Sequence, residues 1–310
     1  MRKRRIALPD LPLDDWEDTK LTLHLFLQIV GKIRLALMPR KNHWWNVTLY
    51  VSATGLTTGP MPYDDGQEKC EILFDFNEHR LKVFTSRGEH RTLELRERLS
   101  VAEFHTWLFD TLRELSLEPR ILGKPYDLPV TKQFSEITEY AAYQPDPVER
   151  FFKLLRWVDG VFQEFSGRFY GKTCPVHLYW HHMDLAVTRF SGRRGPPLPA
   201  DRGIADKDAY SHEVISFGFW VGDENVRGPA FYSYTYPSPD GLGSESIAPG
   251  AAHWIDSGGS PMALLMYEDL LQEPDPRAAL MRFLEATYQA GARLAGWDIE
   301  DLTVPALSEL

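Results

Sequence analysis

The sequence predicts an α+β fold made of two similarly built halves, each a helix, a run of antiparallel strands and a second helix. Three observations carry this. Apolar residues recur at helical spacing in four stretches, and the segments between them alternate with the two-residue period of strands. The links between strand segments are short, which suits antiparallel pairs, because a parallel crossover takes about a dozen residues or more.

In order along the chain, a long helix is expected over residues 15–38, stopped by Pro39. A strand over 43–53 follows, then a Gly-Leu-Thr-Thr-Gly-Pro turn, strands at 71–76 and 81–85 around Asn77-Glu78-His79, and a fourth near 91–95. The helix at 100–117 opens on Ser100 with Glu103 three residues on, a capping box. After a linker at 122–145, Asp146-Pro147 opens a helix to about residue 169. Strands are read at 176–190, 213–221, 231–236 and 262–266, with a loop at 191–206. A last helix spans 275–294, again opened by Asp-Pro. The halves are thus residues 1–121 and 146–310. Their common order is what an internal duplication produces, although no strong residue-level identity links them.

The charge balance restricts partners. With 34 Lys and Arg against 44 Asp and Glu, the net charge is −10, which argues against nucleic acid or an anionic membrane as the main partner. Residues 1–5 are basic, but prolines and carboxylates follow instead of an apolar core, so no secretory signal is read. The apolar stretch 21–38 is interrupted by His24, Gln28, Lys32 and Arg34, so it is not read as a membrane span. Cys70 and Cys174 are too few for a disulfide framework and fit a reducing cytoplasm. No cofactor motif is present: neither a Walker pattern nor Gly-x-Gly-x-x-Gly occurs.

Alternation sorts the strand residues into faces. His43 falls with Trp45, Val47, Leu49 and Val51, and His177 with Tyr179, His181, Met183, Leu185 and Val187. Each half therefore starts its first strand with a histidine on the apolar side. Asp184 falls on the other face, with Leu178, Trp180, His182, Ala186 and Thr188. Tyr232, Tyr234 and Tyr236 share one face of a later strand. Such tyrosine-rich faces line ligand clefts, or pack between layers with their hydroxyls satisfied.

His24, Gln28 and Lys32 form a polar line at i, i+4, i+8, expected to be the solvated edge of the first helix. His181 and His182 point to opposite faces of a strand and so cannot share one metal ion; no metal site is expected. Ser211-His212-Glu213 holds the residue types of a hydrolase triad, but three consecutive residues cannot align as one. Glu213 shares a face with Ile215, Phe217, Phe219 and Val221, so it needs a cation, from Arg189, Arg193 or Arg194, or carries a raised pKa. The run Arg189-Phe-Ser-Gly-Arg-Arg-Gly-Pro-Pro offers three guanidinium forks in a glycine-containing loop, a pattern suited to a small anion.

Several segments together resemble a family catalogued only as a domain of unknown function, number 5996. They include Asn42-His-Trp-Trp, Pro175-Val-His, Asp184-Leu-Ala-Val-Thr-Arg-Phe-Ser-Gly-Arg-Arg, Tyr210-Ser-His-Glu-Val and Phe231-Tyr-Ser-Tyr-Thr-Tyr-Pro. The resemblance runs from about residue 11 to 297 and implies a bacterial protein forming one family unit; it implies no activity. The reading from the residues is a binding protein that holds a small anionic molecule between the halves, through His43, His177, Asp184, Arg189, Arg193, Arg194 and Tyr234. The alternatives are a hydrolase or isomerase using Glu213 or His212 as acid and base, and an oligomeric interaction module.

Overall fold

The computed structural model describes residues 8–306 and 308; the basic run at residues 1–5 lies outside them. The first half is α1 (Glu17–Leu37), β1 (Tyr50–Val51), β2 (Gly55–Thr57), β3 (Met61–Tyr63), β4 (Glu68–Asp75), β5 (Arg80–Thr85), β6 (His90–Glu94) and α2 (Val101–Glu114). The second is α3 (Pro145–Ser166), β7 (His177–Tyr179), β8 (Asp184–Arg194), α4 (Ile204–Ala209), β9 (His212–Trp220), β10 (Ala230–Tyr236), β11 (His253–Ser257), β12 (Ser260–Met266), α5 (Tyr267–Gln272) and α6 (Pro276–Leu294). Two six-stranded antiparallel sheets result. One has the order β1-β2-β4-β5-β6 with β3 beside β4, and the other β11-β12-β10-β9-β8-β7. The fold is α+β.

Apolar burial sets the layers. Phe104 of α2 stacks on Phe26 of α1 at 4.1 Å, with Phe74 of β4 at 6.1 Å from Phe104. Phe165 of α3 meets Phe217 of β9 edge-on at 4.7 Å, and Gly291 of α6 lies against Thr235 and Ile215. One contiguous core runs through both halves. The sheets join where Leu49 and Leu178 exchange both main-chain hydrogen bonds, at 2.9 and 2.7 Å. The offset that carries Leu49 to Leu178 also carries Leu25 to Leu154, Gly31 to Gly160, Val47 to Val176 and Tyr50 to Tyr179. Beyond the tyrosines the spacing changes: Tyr50 pairs with Thr57, but Tyr179 pairs with Asp184, two residues sooner.

Several expectations are corrected. The strand expected at 43–53 shrinks to Tyr50–Val51, because His43 and Trp44 adopt left-handed φ of 57° and 60° in a short turn. Contacts to the other half hold that turn: the Trp44 indole N–H donates to the Ala205 carbonyl, and His43 Nδ1 lies 3.3 Å from the Ala209 carbonyl. The strand expected at 176–190 is a hairpin, turned at 180–183. The Trp180 indole folds back onto α1 at Gly31 and donates to the Val47 carbonyl at 2.8 Å. Reversal of the chain moves His177 onto the face of Asp184 and Ala186, not that of Leu185. The first residues of the expected 191–206 loop continue β8, and its end enters α4.

The polar line on α1 is buried, not solvated. His24 Nε2 lies 3.0 Å from the Trp180 carbonyl; Gln28 donates to the Tyr126 carbonyl at 2.9 Å and accepts from its N–H at 2.7 Å. Lys32 Nζ donates to the Lys124 and Leu122 carbonyls at 2.7 and 3.2 Å. The linker is thereby strapped to α1 by side chains of the helix that bond its main chain. Burial lowers the Lys32 pKa and pulls His24 down to about 4.

Candidate functional site

Strand register divides seven of the nine candidate residues between the two faces of the second sheet. His177, Asp184, Arg194, His212 and Tyr234 lie on one face: Arg194 pairs with His212, Tyr234 with Ser216, and Ser216 with Thr188. Arg189 and Glu213 lie on the other, under α3 and α6. A substrate on one face therefore meets His212 or Glu213, not both.

On the helix-covered face the charges serve the framework. Arg193 donates to Glu213 through Nε at 2.8 Å, and its Nη atoms donate to the Ala295 and Gly296 carbonyls just past α6. Ser191 adds a hydroxyl bond to Glu213 at 2.8 Å. The cation that Glu213 requires is thus Arg193. Arg189 is not a loop residue: it is buried in β8, with Nη2 donating to the Phe165 carbonyl at 2.6 Å. The three arginines do not converge.

The opposite face carries the candidate site. The turn at residues 42–44 rests on α4 and places the His43 ring 4.7 Å from Phe190 and 5.2 Å from His212. Lys172, which the sequence reading missed, brings its ammonium 2.7 Å from His43 Nε2, over the rings of Phe190 at 4.6 Å and Trp45 at 5.3 Å. A carbonyl only accepts, so His43 Nδ1 carries the proton toward Ala209, and Nε2 accepts from Lys172. Burial, reinforced by the Lys172 charge, lowers the pKa of His43. His212 is lowered as well, by burial and then by Lys172 and Arg194. Ser211 Oγ is 3.1 Å from His212 Nδ1. Beside this cluster Tyr210 lies 4.8 Å from Tyr236, and its hydroxyl donates to that of Tyr234 at 3.4 Å. No sequence motif marks Lys172; its partners come from the other half or from later strands.

Asp184 begins β8, six residues or about 20 Å from Phe190 at roughly 3.3 Å per residue, and His177 of β7 pairs beside it with Ala186. There the Tyr232 hydroxyl donates to Asp184 at 2.7 Å, in the space left by Gly218, where a Cβ would strike the Tyr232 ring. Burial raises the Asp184 pKa against the pull of that bond. His177 is fully buried, both ring nitrogens lacking hydrogen-bond partners among the described residues, and burial lowers its pKa to about 3.

Among the described residues no three His, Cys, Asp or Glu side chains are grouped to hold a metal ion, and no helix is long and apolar enough to cross a membrane. Fold and site together define an α+β protein of two antiparallel sheets, with a cationic cluster against aromatic walls where its halves meet. A family of unknown function, DUF5996, matches residues 8–304, and the chain belongs to that family. No curated protein and no solved structure matches it.

Proposed function

We propose that the protein binds a small organic anion at the junction of its halves, with the anionic group at Lys172, His212 and Arg194 and an apolar or flat portion against Trp45, Phe190 and the tyrosines. The observation that carries the reading is the Lys172 ammonium, whose hydrogen bond goes to a neutral imidazole while the Arg194 guanidinium adds a second positive charge beside His212. In a chain of net charge −10 that is a local excess of positive charge. Asp208, a carboxylate whose charge favours the Lys172 ammonium, is engaged by Arg40 at 3.3 Å. Free, buried Cys70 and Cys174 suit a cytoplasmic setting, and the resemblance of the sequence supports a bacterial one. The shared spacing of the halves supports a duplicated unit whose seam became the site.

The test is thermal unfolding with benzoate, succinate, citrate and inorganic phosphate. At a hundredfold excess over Kd, binding adds about 2.7 kcal/mol of stability. Lys172→Ala should abolish the gain for whichever probe stabilises the parent protein. The reading fails if no probe stabilises the parent, or if the variant responds equally.

A further inference from the structure

A cavity of about 390 Å³ opens on the helix-covered side of the second sheet, between the end of α3, α6 and residues 302–304. Its outer wall is tied down by the main-chain bridge between Phe169 and Thr303. Arg189 lies in its lining at 2% exposure, with its guanidinium 3.5 Å from the Phe165 ring centre and 4.4 Å from that of Tyr288. Its Nη2 is committed to the Phe165 carbonyl, but its Nε–H has no partner among the described residues. The hydroxyl of Tyr288, 3% exposed and also lining the cavity, has none either.

Two buried donors left unpaired on one cavity are costly to folding unless something supplies acceptors. The charge indicates what kind. Arg168 on the rim takes Glu164 at 2.6 Å and Glu285 at 3.1 Å, leaving the buried Arg189 with Glu285 alone, at 3.9 Å from its Nη1. The volume lies in the range of ordinary small-molecule sites, roughly 300–1,000 Å³.

We propose that this cavity is a separate binding site for a small organic carboxylate, whose oxygens accept from Arg189 Nε–H and the Tyr288 hydroxyl. Arg189 Nε–H can only donate and the Tyr288 hydroxyl has a proton to give, so an acceptor-only group of two oxygens matches them, and the aromatic rings around Arg189 exclude the water that would otherwise weaken the pair.

The experiment follows the arginine Nε–H resonances of ¹⁵N-labelled protein during titration with acetate, succinate, benzoate and inorganic phosphate. The Arg189 signal is assigned by its loss in Arg189→Lys. A carboxylate should shift that signal saturably. Tyr288→Phe removes an oxygen with no hydrogen-bond partner among the described residues, so the fold should persist while carboxylate affinity falls roughly tenfold to a hundredfold, the range for a bond to a charged group. If Arg189→Lys does not fold, the comparison of parent and Tyr288→Phe by calorimetric titration stands in its place. Lys172→Ala should leave the response intact, which separates this site from the one at the seam. The proposal is overturned if no carboxylate shifts the signal, if Tyr288→Phe binds as well as the parent, if only phosphate responds, or if Lys172→Ala removes the response.

Discussion

Replacing His177 by leucine should make the protein more stable, and increasingly so in acid. The imidazole is fully buried, between Tyr179 at 4.7 Å and Tyr50 at 6.4 Å, with neither nitrogen hydrogen-bonded. Each buried unpaired polar group costs about 1–3 kcal/mol, and leucine loses part of the ring packing in return, so a net gain of about 1–3 kcal/mol is expected near neutral pH. The pH dependence has a definite sign. Burial lowers the folded-state pKa from 6.5 to about 3, so below 6.5 the unfolded chain binds the proton more readily and stability drains away as pH falls toward 3. At 1.36 kcal/mol per pKa unit, the gap between variant and parent should widen by about 2–3 kcal/mol from about pH 6 to about pH 4. Urea unfolding at several pH values, read at constant m, measures both parts. A variant less stable than the parent near neutrality, or a gap that does not widen in acid, would refute the reasoning.

Gln28→Leu should cost about 2 kcal/mol, at about 1 kcal/mol for each of its two bonds to Tyr126, and should raise amide exchange selectively in residues 122–128; unchanged exchange there would contradict the strap. Gly31→Ala would place a Cβ 2.1 Å from Trp180 Cδ1, so the overpacking cost of about 1–3 kcal/mol should exceed the ~1 kcal/mol gain in helix propensity and lower the urea midpoint.

Local physics was legible where it governed. The capping box at Ser100 and Glu103 is present, and Asp275 caps α6 through the Ala278 N–H. Alternation failed where side chains reach across the seam: nothing within residues 43–53 shows that Trp44 bonds Ala205, and nothing within 176–190 shows that Trp180 folds onto Gly31. The β11–β12 hairpin carried a readable sign, Gly258-Gly259 at φ 62° and 86° between paired Ser257 and Ser260. Within the site, His43, His212, Arg194 and Tyr234 could be named from residue type, but not their common face, which depends on register and on the break at 180–183. The shared spacing, Val47-x-Leu49-Tyr50 against Val176-x-Leu178-Tyr179, is also in the sequence, though three residues are too sparse to mark it without the main-chain bonds between the two leucines.

The buried polar line of α1 has a further consequence, for folding fidelity. An all-apolar helix can slide by a turn against its neighbours and still bury the same area. Here a one-turn slip would carry the Lys32 ammonium away from the Leu122 and Lys124 carbonyls and Gln28 away from Tyr126, leaving a sequestered cation without an acceptor. Misregistered packings are therefore penalised more heavily than the correct one is rewarded. His24, Gln28 and Lys32 act as an address that selects a single docking of the linker.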